Sequence, residues 1–141
     1  MNDQSLAATG ALVLRVSLGV MTLAHGLLKV FVFTVPGTVG FFESLGLPAA
    51  IAYLTIAAEI FGGLALIGGI FTRVAALALV PILLGAAWVH SGNGWVFSNQ
   101  GGGWEYPVFW AFALVVQALI GPGALALDNA IAARKAGVAA A

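Results

Sequence analysis

Four long apolar runs, each broken by only a few polar side chains, dominate the pattern along this chain. Leu6–Phe33 predicts a long helix that carries Arg15, His25 and Lys29. Ala49–Ile70 is apolar throughout except for Glu59 near its middle. Arg73–His90 follows, with Pro81 inside it predicted to bend the helix. Tyr106–Ile120 is apolar apart from Gln117. Runs of this length without strand-like alternation predict helices that cross a membrane. The expected architecture is all-α: a four-transmembrane-helix bundle in one domain over residues 1–141. Its spans lie at about 6–33, 49–70, 73–90 and 106–120, and a polar tail follows at 124–141.

The connections are punctuated by glycine and proline. Thr34–Pro48 has Pro36-Gly37 at one end and Gly46-x-Pro48 at the other, around a predicted short interfacial helix with Phe41, Phe42 and Glu43. Gly69 to Arg73 predicts a tight turn with Thr72 as the N-cap of the next helix. Ser91–Trp104 is glycine-rich, polar and aromatic, so it reads as a loop at the membrane surface. Glu105 and Pro107 suit the start of the fourth helix. Gly121-Pro122-Gly123 ends it, and the tail beyond admits a short surface helix.

Composition agrees with lipid as the solvent. The chain is 62% hydrophobic and 7% charged, against about 25% charged in a soluble domain. Its 19 glycines suit close helix packing, as do the small-xxx-small pairs Ala58/Gly62 and Ala65/Gly69. A net charge of zero and no basic patch argue against a nucleic-acid partner. With no cysteine, thiolate nucleophiles, redox dithiols and cysteine-ligated clusters are excluded. The N-terminus lacks the basic start of a signal peptide, so the first run reads as a retained span. Arg73 and the tail pair Arg134-Lys135 fall on one side of a four-span chain, which predicts both termini in the cytoplasm.

A carboxylate at mid-membrane is expensive, and such a residue is a candidate for function. Arg15, Thr22 and Lys29 fall on one helix face, and His25 is one turn from Lys29. Two readings stand. In one, Arg15 and Lys29 reach toward the headgroups and His25 is satisfied by its own helix. In the other, they form an inward stripe that meets Glu59. The topology gathers His25, Lys29, Glu59, His90, Trp88 and Glu105 toward the outer half, where they can line one cavity. Glu59, Lys29 and His25 are the candidate catalytic residues, and all six are candidate cofactor-binding residues. No local spacing suggests a metal site.

Several pieces taken in order resemble the DoxX family of small four-helix membrane proteins. These are His25-Gly26-x-x-Lys29, Gly40/Phe42 with Gly46-x-Pro48, Ala58-Glu59-x-x-Gly62-Gly63 and Leu66-x-x-Gly69-x-x-Thr72-Arg73. His90, Tyr106-Pro107 and Gly121-x-Gly123 with Leu127-Asp128 complete the set. The resemblance covers about Val13 to Asp128. It implies a multi-pass protein of the bacterial inner (plasma) membrane, tied to quinone-linked or oxidative-stress oxidoreductase systems and to a membrane or periplasmic redox partner or a homo-oligomer.

Three functions follow. The first is a component of a quinone-linked oxidoreductase, with Lys29 or His25 donating to a quinone carbonyl and Glu59 passing a proton. The second is a non-catalytic accessory or anchoring subunit, with the charges as internal braces. The third is a small transporter or channel. Quinone is the expected cofactor, and haem held by His25 and His90 is the alternative.

Overall fold

The computed structural model describes residues 2–139, and it is helical with no strand among them. Six α-helices follow in order: α1 (Asp3–Phe31), α2 (Val35–Ser44), α3 (Ala49–Gly68), α4 (Thr72–His90), α5 (Glu105–Ile120) and α6 (Leu127–Ala139). A 3-10 turn, Ser91–Asn93, extends α4. The helix from Asp3 to Phe31, that from Ala49 to Gly68, and that from Thr72 through the 3-10 turn are long and apolar enough to cross a membrane; α5, at 16 residues, is shorter. This is a membrane protein, and its exposed apolar faces, such as Val13, Val20, Leu64, Leu77 and Phe112, meet lipid.

The helices begin and end for local reasons. Asn2 caps α1 by accepting from the Ser5 amide at 2.9 Å. In the α1–α2 corner, Thr34 Oγ1 accepts from the Gly37 amide at 3.2 Å, and Pro36 falls within the first two positions of α2, where its missing N–H costs nothing. So Pro36-Gly37 opens the short helix instead of breaking the chain. Gly69 ends α3 with φ 69°, a left-handed conformation that glycine adopts without strain. Thr72 does not act as the expected N-cap. It is the first residue of α4, and Asp128 caps instead: its Oδ1 accepts from Phe71 N at 2.9 Å and its Oδ2 from Thr72 N at 3.2 Å. A carboxylate at a helix N-terminus suits the macrodipole. The same contact pins the start of α6 to the α3–α4 corner.

α1 and α3 approach most closely. A Cβ on Gly63 would lie 2.7 Å from Leu23 N and 2.9 Å from Gly19 O, and one on Gly26 would lie 3.1 Å from Glu59 Cβ. Gly62 faces α4, against Leu79. The expected glycine packing is therefore present, but Gly63 of α3 meets Gly19 of α1, a partner that the small-residue pairs did not include. The core between α1, α3, α4 and α5 is filled by Leu18, Leu66, Ala76, Leu79, Leu83, Trp110 and Leu114.

Arg15 contradicts both sequence expectations. It neither reaches for headgroups nor meets Glu59. It is fully buried, and its guanidinium donates to the carbonyls of Leu66 (2.7 Å), Ile67 (2.8 Å), Pro122 (2.8 Å) and Ala124 (3.2 Å). It thus satisfies the open C-terminal carbonyls of α3, where a cation is favoured, and ties them to the 121–124 turn. Arg73 does the same for α5, donating to Ala118 O at 2.6 Å and Leu119 O at 3.1 Å.

Candidate functional site

At the opposite end from Arg15 and Arg73, the helices part. The end of α1, helix α2, the first half of α3, the second half of α4 and the start of α5 line an open cavity of about 1130 Å³. Its walls are largely apolar. They include Phe42, Leu47, Ile51, Leu54, Ile82 and Leu83, with Trp88 and Tyr106 toward the rim and Trp110 deeper. The volume lies just above the usual range of small-molecule sites, about 300–1,000 Å³.

One polar cluster lies in this apolar surround. Lys29 Nζ is 2.8 Å from each carboxylate oxygen of Glu59, with the aligned hydrogen bond made to Oε1. Lys29 reaches the carboxylate because Gly26, one turn earlier, lets α1 lie directly against Glu59 and Ile60. Glu59 is 7% exposed, and its Oε2 makes no aligned hydrogen bond. Removing two charges from water is costly, and close pairing offsets much of that cost. It is the one ion pair among the described residues. Thr38 of α2 donates its hydroxyl to Lys29 O at 3.1 Å, fastening α2 over the same stretch of α1.

His25 lies on the same wall. Its Nδ1 is 2.9 Å from Met21 O, and its ring meets Trp110 edge-on at a centroid distance of 4.9 Å. A carbonyl oxygen only accepts, so Nδ1 carries the proton. In the neutral ring Nε2 is then an acceptor. The neutral ring therefore cannot make the donation to a quinone carbonyl that the sequence expectation gave it. The indole nitrogen of Trp110 is buried and has no hydrogen-bond partner.

The structure brings His25, Lys29, Glu59, His90 and Trp88 to one cavity and leaves Glu105 out. Glu105 opens α5 and accepts from Phe97 N at 2.8 Å, closing the 94–105 loop on itself. It borders a smaller pocket of about 460 Å³ with Trp95, Phe97 and Tyr106. His90 is engaged through Nδ1 with Gly101 O at 2.9 Å, so it also braces that loop. Thr38, Thr55, Tyr106 and Trp110 line the main cavity without having been singled out as site residues. Trp110 is three residues past Pro107, close to one turn into an apolar helix, and that spacing was the only available signal. No group of three or more metal-ligating side chains occurs among the described residues.

Comparison with known proteins gives a relative and a family. A Bacillus subtilis protein named "Putative oxidoreductase CatD" is 39% identical over 77 residues, which is 55% of this chain and 56% of that protein. The chain thus spans about half the length of the curated relative it matches. No solved structure matches it. The DoxX family profile matches residues 10–92, from α1 through the 3-10 turn, a stretch that contains His25, Lys29, Glu59, Trp88 and His90. On that match the chain belongs to the DoxX family.

Proposed function

We propose that this protein is the membrane component of a quinone-linked oxidoreductase system. The observation that carries the reading is the apolar cavity with a single buried ion pair on its wall. A quinone needs an apolar slot for its ring and a donor at a carbonyl oxygen. Lys29 supplies the donor, since its ammonium has three N–H bonds and Glu59 is its hydrogen-bond partner. Glu59 holds that ammonium in place and supplies a proton-accepting carboxylate one bond away. The chain has no cysteine, so on this reading the electrons pass through a bound cofactor or a redox partner protein. The relative's printed name supports an oxidoreductase setting.

The test is mass spectrometry of small molecules extracted from protein purified in mild detergent, together with its absorbance spectrum. The expected result is a stoichiometric quinone in the wild type that is lost in Lys29→Met. A Soret band would replace this reading with haem held by His25 or His90. A wild-type preparation with neither would leave the ion pair as an internal brace of an accessory subunit.

The same reading places the chain in the bacterial inner membrane, crossing four times with both termini in the cytoplasm. Arg15 and Arg73 lie at the end shared by the C-termini of α3 and α5, as the positive-inside rule asks of the cytoplasmic side. At about 24 Å, α5 is shorter than a ~30 Å core, and Trp104 and Tyr106 beside its first turn suit the headgroup layer. The chain is free of cysteine, so single cysteines report topology directly. In intact spheroplasts, Ser98→Cys should react with a membrane-impermeant maleimide and Ala133→Cys should not. The reverse pattern would invert the orientation.

A further inference from the structure

We infer, building on the quinone-linked reading, that the polar wall of the cavity is made for a ring hydroxyl, so that the ligand is held more tightly as the reduced quinol than as the quinone. The observation is the way His25 is tethered. Its one N–H is spent on Met21 O at 2.9 Å, and no described residue makes a hydrogen bond to Nε2. The ring borders the cavity one helical turn from Lys29. Trp110 packs edge-on against it, 4.9 Å between centroids, which restrains it from turning over.

The wall therefore presents an acceptor, His25 Nε2, one helical turn from a donor, Lys29 Nζ, with the buried N–H of Trp110 as a further donor. A carbonyl oxygen uses donors only and leaves Nε2 without a partner in a largely apolar cavity. Reversing the tautomer would not help, because it would set the Nδ1 lone pair against the Met21 carbonyl oxygen at 2.9 Å. A hydroxyl uses both groups: it donates to Nε2 and accepts from Nζ. A polar atom that a bound ligand covers without giving it a hydrogen bond is penalised, so the hydroxyl form is preferred by at least about fivefold. Tighter binding of the reduced form raises the potential of the bound two-electron couple, by about 30 mV for each tenfold.

The test uses the full chain in mild detergent, with decylubiquinone and, anaerobically, decylubiquinol, each measured by equilibrium dialysis. The expected result is a quinol Kd at least about fivefold below the quinone Kd. In His25→Phe the two values should converge, the quinol losing more affinity than the quinone. Equal affinities in the wild type, or tighter quinone, would overturn the inference and leave the quinone-linked reading standing. A preference that persists in His25→Phe would overturn the role of Nε2. Binding of neither form would remove both readings. The wild-type ratio needs no variant, so a misfolded His25→Phe does not spoil the test.

Discussion

Three charged residues decide most of what single substitutions do here. Arg15 holds four carbonyls, and Arg15→Met strands them in an apolar interior. The expected loss is at least about 3 kcal/mol, read as a large fall in Tm in detergent. Lysine in its place should recover little, because it lacks the planar fork that reaches two sites at once. For the ion pair, Lys29→Met leaves a buried carboxylate uncompensated and should cost about 3–5 kcal/mol. The double variant Lys29→Met/Glu59→Leu removes both charges and should regain most of that stability while losing ligand binding. If the double variant stays as unstable as the single one, the pair is not the source of the loss. The Lys29–Glu59 contact was within reach of the sequence, because helix periodicity puts Lys29 on a defined face and Glu59 is the one acid in its run. Arg15 was not, since its acceptors are backbone carbonyls 51 to 109 residues away, and backbone carries no side-chain signature.

Helices α1, α3, α4 and α5 follow from uninterrupted apolar runs, and their ends fall within a few residues of the expected positions. The pairing of their faces is harder to read. Small residues at a four-residue spacing mark α3 as a close-packing helix, but they do not say that Gly63 faces α1 while Gly62 faces α4. Gly63→Ala sets a methyl against Leu23 N and Gly19 O. Backbone cannot turn aside as a side chain can, so this should cost about 1–3 kcal/mol. Gly10→Ala and Gly85→Ala meet open space and should leave Tm near that of the wild type or above it. The cap on α4 was also hidden, because Asp128 is 56 residues beyond Thr72. Asp128→Ala should cost about 1 kcal/mol and raise amide exchange at Phe71 and Thr72 before the rest of α4.

The whole molecule divides its polar residues between two ends. One end spends its arginines on closing helix termini, and the other keeps an ion pair and a histidine on the wall of a cavity. Sites that far apart and without shared partners should act additively. A ligand at one hundred times its Kd should therefore add about 2.7 kcal/mol to the wild type and to Asp128→Ala alike. The same increment should vanish in Lys29→Met. Thermal melts of the three proteins with and without decylubiquinone check this, and an increment lost in Asp128→Ala would show the two ends to be coupled. The order of synthesis gives the arginine end a further consequence. Arg15 enters the membrane early, Leu66 and Ile67 arrive some fifty residues later, and Pro122 and Ala124 more than a hundred residues later. Until the last of these emerges, the guanidinium must stay hydrated at the membrane surface or be held by another protein. The first helix is thus made first and seated last, and a nascent chain halted before Pro122 is the form that quality control has the best chance to recognise.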